Sequence, residues 1–327
     1  MKKVLITGIT GQDGAYLAKF LLNKEYRVFG LVRRVASRSL GNLEYLNIVN
    51  DVEFVDGDLT DEASLINVIK NILPDEVYNL AAQSFVGTSW DQPLTTFDIN
   101  ATGTLKLLNA IKTSCPTARF YQASTSEMFG NSNDDGIQSE KTYFHPRSPY
   151  AVSKLAAYWL TINYRESYNM FCANGILFNH ESPIRGKEFV TRKITDGVAR
   201  IKLGLDKDIK LGNLDSYRDW GFAGDYVEAM WLMLQQDEPD DFIVSTGKTH
   251  SIRDLLDVAF NRVGIKDWNQ YVKIDPRYKR PAELFSLKGQ NNKAKEKLGW
   301  QPKVNFEGLI NMMIDADLER LKNVDKK

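Results

Sequence analysis

The chain has little cysteine and little histidine. Its two cysteines, Cys115 and Cys172, stand in 327 residues. Two thiols cannot build a disulfide framework, which fits a reducing, cytoplasmic setting. The three histidines, His145, His180 and His250, are dispersed. They show no metal-ligand spacing, so no metal is expected and a metal hydrolase has no support. No run of about 20 apolar residues occurs, so no transmembrane helix is expected. Charge of one sign is also missing: Lys+Arg and Asp+Glu both number 42. That balance gives no reason to expect nucleic acid or a membrane surface as partner. The opening run Met1-Lys2-Lys3-Val4-Leu5-Ile6-Thr7 ends at once in glycines. It is too short for a signal-peptide core and reads as a buried strand. There is no internal repeat and no low-complexity tract.

What is present suffices for a large core: 43% of residues are hydrophobic and 26% charged, in one large domain or two unequal lobes. Residues 3–7, 27–32, 52–55, 76–80 and 119–124 read as short apolar strands. Residues 15–23, 61–72 and 96–112 read as amphipathic helices between them, and 171–177 continues the pattern. This alternation predicts an α/β fold, a doubly wound parallel sheet of Rossmann type. From about Glu181 the loops lengthen and Pro and basic residues spread among short elements. The expected division is a dinucleotide-binding domain over 1–180 and a smaller C-terminal α/β substrate lobe over 181–327, with some later segments returning to the first domain. The last five residues read as frayed.

After the first strand comes Gly8-Ile9-Thr10-Gly11-Gln12-Asp13-Gly14, which opens a helix. Glycines let the backbone turn tightly and approach a pyrophosphate, and the helix N-terminus supplies N–H donors. A plain strand-to-helix turn would look similar, but the strand–loop–helix context is the one the motif requires. At the end of the second strand, where an acidic residue commonly holds a NAD ribose, stand Arg33 and Arg34. Two guanidinium groups suit a 2′-phosphate, so the expected cofactor is NADP. Asp58 and Leu59 follow the third strand and are placed at the adenine edge. Leu80, Ala81, Ala82, Gln83 and Ser84 follow the fourth and are placed along the cofactor phosphates and ribose.

Two fragments then fit one reaction. Tyr150 and Lys154 lie four residues apart and share a helix face. A Lys held against a Tyr favours the phenolate and is expected to bring the phenol towards neutrality. Such a phenolate can take the proton of an alcohol while hydride leaves its carbon. Ser124-Thr125-Ser126-Glu127 adds hydroxyls and a carboxylate. These are the acid and base needed to eliminate water beside a new ketone, a step for which simple dehydrogenation has no use. Thr125, Ser126, Glu127, Tyr150 and Lys154 are therefore the candidate catalytic set.

Those segments bring out a resemblance. With Tyr121-Gln122-Ala123 before the Ser-Thr-Ser-Glu run and Pro146-Arg147-Ser148-Pro149 before Tyr150, they are joined by Gly175-Ile176-Leu177-Phe178-Asn179-His180-Glu181-Ser182-Pro183. Further on stand Phe189-Val190-Thr191-Arg192-Lys193-Ile194, Arg218-Asp219-Trp220-Gly221, Asp275-Pro276-Arg277-Tyr278 and Arg280-Pro281-Ala282-Glu283. From about Lys3 to about Trp300 the chain resembles the extended short-chain dehydrogenase/reductases that act on nucleotide sugars. Among them it is similar to the GDP-mannose 4,6-dehydratases.

The resemblance implies a hydro-lyase making a GDP-4-keto-6-deoxy sugar and water from GDP-mannose or a close GDP-sugar, with hydride passed internally through NADP. It implies Thr125, Glu127 and Tyr150 as catalytic, with Lys154 in support. His180 and Arg185 would lie at the cofactor; read alone, His180 would be a structural histidine. Around the GDP-sugar it places Ser84, Asn179, Val190, Lys193, Arg218, Arg280 and Glu283, beside Thr125, Glu127 and Tyr150. A diphosphate does want Arg and Lys donors. It also implies a homodimer or homotetramer, with the loop 33–42 near a neighbouring subunit's cofactor. Two departures stand out. Ile184 replaces an arginine usual before Arg185, and the loop Phe85-Val86-Gly87-Thr88-Ser89-Trp90 is unusual. Gly87 is expected to leave room at the sugar, which admits GDP-manno-heptose as an alternative substrate. The remaining rivals are a 4-keto-sugar reductase or epimerase of the same fold, which needs no Glu127, and a non-catalytic NADP-sensing protein, which needs neither Tyr150 nor Lys154.

Overall fold

The computed structural model describes residues 1–36, 39–131, 136–278, 284 and 286–324. Its first strand shows why the chain folds as it does. In β1 (Lys3–Thr7), Val4, Leu5 and Ile6 are all wholly buried. Adjacent side chains point to opposite faces, so both faces of the sheet must be covered.

The strands that follow are β2 (Arg27–Val32), β3 (Glu53–Asp56), β4 (Glu76–Asn79), β5 (Arg119–Thr125), β6 (Ile137–Gln138), β7 (Cys172–Leu177) and β8 (Asn179–Glu181). Later come β9 (Ile209–Leu211), β10 (Tyr217–Arg218), β11 (Trp220–Phe222), β12 (Asp241–Val244), β13 (His250–Ser251), β14 (Val272–Ile274) and β15 (Ser286–Gly289). A seven-stranded sheet in the order β12-β7-β5-β4-β1-β2-β3 forms the centre, and every neighbouring pair is parallel. Strand order reverses between β1 and β4, the point at which open α/β sheets bind ligands.

The helices of the first half are α1 (Gln12–Leu22), α2 (Gly41–Tyr45), α3 (Glu62–Ile72), α4 (Val86–Asp91), α5 (Pro93–Phe97), α6 (Gly103–Ser114) and α7 (Pro149–Tyr168). Then follow α8 (Val190–Lys202), α9 (Ala223–Met233), α10 (Ile252–Arg262), α11 (Asn292–Leu298) and α12 (Phe306–Val324). One sheet face packs on α1, α9 and α11 through Leu17, Leu21, Met230, Met233 and Leu298, with Trp300 just beyond α11. The other packs on α3, α6 and α7 through Leu65, Ile69, Leu107, Ile111 and Tyr164. A separate apolar core joins α8, α10 and α12. Among the described residues three small sheets, β13-β10-β15-β6, β11-β8 and β14-β9, stand beside the central one.

Two boundaries differ from expectation. The first helix starts at Gln12, inside the glycine loop, so its free N–H groups already face the turn. The helix expected over 96–112 begins at Pro93 and passes through a π-type turn, Asp98–Thr102, before α6. Among the described residues no helix is long and apolar enough to cross a membrane.

Candidate active site

The glycine loop is shaped by close approach. Gly8 has φ +69°, and a Cβ there would lie 2.8 Å from the Ala81 nitrogen. At Gly14 a Cβ would lie 2.3 Å from the Gly8 carbonyl oxygen. Neither position tolerates a side chain, whereas Gly11 is exposed at the tip. Thr7 fixes the crossing. Its hydroxyl accepts from the N–H of Leu80 at 3.1 Å and of Ala81 at 3.0 Å, and donates to Asn79 Oδ1 at 2.7 Å. Asn79 donates onward to Gln122 Oε1 at 2.8 Å. Asn100, in the π-type turn, accepts from Gln83 N–H at 2.9 Å and donates to Ser153 at 3.0 Å. These four polar side chains were not singled out from the sequence. The available signal was a polar residue inside an otherwise apolar strand or helix face.

Gln12 and Asp13 turn away from the glycine tip towards β8. Gln12 Nε2 donates to the His180 carbonyl at 3.1 Å, and Ser182 donates to Gln12 Oε1 at 2.8 Å. His180 Nε2 lies 2.8 Å from Asp13 Oδ2, and Nδ1 lies 2.7 Å from the Phe178 carbonyl. Both ring nitrogens face acceptors, which calls for the imidazolium. Burial alone would raise Asp13, but the charge and hydrogen bond of His180 hold it at about 2. Burial alone would lower His180, but Asp13 and the carbonyl raise it. The His180 ring also stacks on Tyr226, with centroids 4.7 Å apart.

Arg33 and Arg34 stand exposed after β2, and Arg34 lies 3.9 Å from Asp56. Asp58 Oδ1 accepts from Thr60 N–H at 2.9 Å, while the Leu59 side chain is in the core. Asn42 Nδ2 donates to the Thr10 carbonyl at 2.9 Å, so α2 rests on its own chain's glycine loop. Ser84 is exposed, and Ala82 and Gln83 are half-buried.

The catalytic candidates converge at the C-terminal edge of the sheet. Thr125 ends β5 opposite Leu177, and its hydroxyl accepts from Glu127 N–H at 3.3 Å. Ser126 is buried in the turn that follows. Ser148 caps α7 by accepting from Ala151 N–H at 3.1 Å, with Pro149 in the first turn. This start puts Tyr150 and Lys154 one turn apart on the buried side. The expected lowering of Tyr150 is not found. Burial pushes its phenol up to about 12; the Thr125 hydroxyl and Arg185 pull down, while Glu127 pushes up. The reason is where Lys154 points: its ammonium donates to the Ala123 carbonyl at 2.9 Å. Burial brings Lys154 itself down to about 8.

Arg185 lies over the Phe189 ring at 3.5 Å. Its Nε is 3.0 Å from Glu181 Oε2, though not aligned for a hydrogen bond. Lys193, on α8, sets its ammonium over Tyr278 at 3.3 Å, and Arg218 is buried with Nη1 donating to the Tyr217 and Leu284 carbonyls. Asn179 is half-buried and Val190 exposed. Arg280 and Glu283 lie outside the described residues. Beside Gly87 a Cβ would meet Phe85 Cε1 at 2.9 Å, and the Phe85 ring sits edge-on to Phe189 at 5.8 Å.

A parallel sheet that reverses at β1/β4, a glycine loop at that point and a Tyr-Lys helix beside a Thr define the short-chain dehydrogenase/reductase class. Comparisons narrow it. The family model described as GDP-mannose 4,6 dehydratase matches residues 5–313. The GDP-mannose 4,6 dehydratase 2 of Arabidopsis thaliana is 55% identical, over 98% of this chain and 88% of that protein. Two solved structures share the fold. The Thermus thermophilus UDP-glucose 4-epimerase in complex with NAD has a TM-score of 0.84 at 26% identity, covering 96% of this chain and 98% of that one. RMD from Pseudomonas aeruginosa with NADPH has 0.80 at 24%, covering 98% and 100%. The chain belongs to the GDP-mannose 4,6-dehydratase family.

Proposed function

We propose that the protein removes water from GDP-mannose to give the GDP-4-keto-6-deoxy sugar, with no net redox change. The observation that carries this is the meeting of Thr125, Glu127 and Tyr150 at one point of the sheet edge. A reductase needs the Tyr and Lys only, and a sensing protein needs none of them. The glycine cradle at Gly8, Gly11 and Gly14 fits a dinucleotide pyrophosphate, and the exposed Arg33 and Arg34 fit the 2′-phosphate of NADP. When bound, NADP accepts hydride from C4 and returns it to C6.

The chain's own residues handle the protons. Tyr150 takes the proton of the C4 hydroxyl, and Thr125 holds that oxygen. Its phenol needs a nearby cation to act as a base, and Arg185 is the one that pulls it down. Glu127 takes the C5 proton, which becomes acidic once C4 is a ketone. The leaving C6 hydroxyl receives its proton from Glu127, directly or through Ser126 or Thr125, and departs as water. As hydride reaches C6, C5 takes back the proton that Tyr150 removed from the C4 hydroxyl, directly or through solvent, so Tyr150 and Glu127 both return to their starting forms and the net change is the loss of one water. Among the described residues, Lys193 and Arg218 are assigned to the diphosphate and Ser84, Asn179 and Val190 to the sugar nucleotide. Free Cys115 and Cys172 accord with a cytoplasmic setting.

The test is incubation with GDP-mannose and added NADP but no reductant, followed by mass spectrometry. Loss of one water without net NADPH change is expected. An unchanged substrate together with NADPH-dependent reduction of a 4-keto sugar would move the assignment to a reductase. For the cofactor, Arg34→Ala is expected to weaken NADP about tenfold or more while barely affecting NAD. Equal losses in a binding titration would rule out the 2′-phosphate contact.

A further inference from the structure

Asp317, on α12, is 1% exposed and plays no part in the chemistry above. A buried carboxylate is costly unless its lone pairs are filled, and here they are. Arg192 Nε donates to Oδ2 at 3.0 Å, and Arg192 Nη2 lies 2.7 Å from Oδ1. Thr195 donates to Oδ2 at 2.8 Å, and Arg320 Nη1 donates to Oδ1 at 2.7 Å. Each guanidinium has donors to spare, and both send them to one loop. Arg192 Nη1 donates to the carbonyls of Pro183 at 2.8 Å and Arg185 at 2.9 Å. Arg320 Nη2 donates to the Pro183 carbonyl as well. One carboxylate therefore orients two guanidinium groups that grip the backbone carrying Arg185. The same Arg320 covers the Tyr45 ring of α2 at 4.8 Å, so α12 also holds the segment that rests on the glycine loop.

We infer that Asp317 is a positioning residue for the reaction: through Arg192 and Arg320 it fixes the loop 182–186 and so sets where Arg185 stands at the cofactor site. This rests on the reading that Arg185 faces the cofactor. A second buried ion pair provides the control. Asp241 accepts from Arg165 at 3.0 and 2.9 Å and from Tyr158 at 3.2 Å, on the sheet's edge strand β12, with no hydrogen bond to the Arg185 loop.

The experiment measures NADPH dissociation constants by fluorescence titration, at a temperature where each variant is folded. The proteins are wild type, Arg185→Ala, Asp317→Asn, their double variant and Asp241→Asn. Arg185→Ala and Asp317→Asn are each expected to weaken NADPH about tenfold. The double variant should be no weaker than Arg185→Ala alone, because a group acting through Arg185 has nothing left to act on. Asp241→Asn should stay within about twofold of wild type. Multiplying losses in the double variant, or an equal loss in Asp241→Asn, would overturn the inference and leave Asp317 a general support of the fold. Arg185→Ala with wild-type affinity would overturn the reading of Arg185, and the inference with it. If Asp317→Asn does not fold, Arg320→Lys enters the same cycle, and multiplying losses there overturn the inference equally.

Discussion

Tyr150 and Lys154 share a helix face, yet their polar ends serve different partners. Lys154 is spent on the Ala123 carbonyl, and Tyr150 meets Thr125 and Glu127. The carboxylate thus has the sharper role to test. Glu127→Gln keeps size but cannot take the C5 proton. It is expected to lower dehydration by about a hundredfold or more while C4 oxidation, seen as transient NADPH absorbance, persists. Normal dehydration in the variant would reassign the base. The Asp13–His180 pair gives a second residue-scale prediction. Asp13 is depressed to about 2, so its share of stability is present above its ordinary carboxylate range and is lost as pH falls through that value. His180 is raised, so its share is whole below the ordinary imidazole range and is lost as pH rises through the raised value. His180→Gln should therefore cost about 3 kcal/mol near pH 6, with a smaller difference in alkaline buffer. Denaturant melts across that range decide it; a cost independent of pH would mean the pair carries no charge.

At the scale of elements, the catalytic geometry depends on how α7 begins. Ser148→Ala removes the cap and is expected to cost about 1 kcal/mol. It should lower kcat more than KM, since Tyr150 lies in the first turn. A denaturant midpoint and steady-state rates check both, and unchanged kcat would show that Pro149 alone sets the start. Such local features were legible in the sequence. The glycine loop, the Tyr150–Lys154 spacing and the strand–helix alternation each fit within a few residues, where periodicity and steric need act directly. The π-type turn was not legible, because Asp98–Thr102 continues an ordinary helical pattern. Nor was the direction of the Tyr150 shift, which burial decides. Asp13 and His180, or Arg192 and Asp317, were unreadable as pairs because only the folded chain brings them together. Phe85 could be read as a departure, but not that its ring would cover Gly87.

Among the described residues of the molecule, an apolar surface lies uncovered on one side of the sheet domain. Along α4, α5 and α7, Trp90, Leu94, Phe97, Val152 and Trp159 are exposed, Leu94 at 84%. Exposed patches of this kind mark interaction sites, and a second copy of the chain is the occupant we propose and test. The unaltered chain is expected to run as a dimer or larger and Leu94→Glu with Trp159→Glu as a monomer, by light scattering at micromolar concentration; equal masses for the two would rule this face out as a contact between copies.

The central sheet is closed on one side by β12, which the chain reaches only after α8, β9, β10, β11 and α9. During synthesis β7 therefore waits as a bare edge, its N–H and C=O groups unpaired, until residues 241–244 arrive. Trp300, packed with α1 and α9, arrives later still. The ribosome delivers the catalytic residues long before it delivers the strand that seals their sheet. A nascent chain of that length carries the catalytic residues and an unpaired strand edge together, and shielding of that edge falls to whatever meets the chain as it emerges.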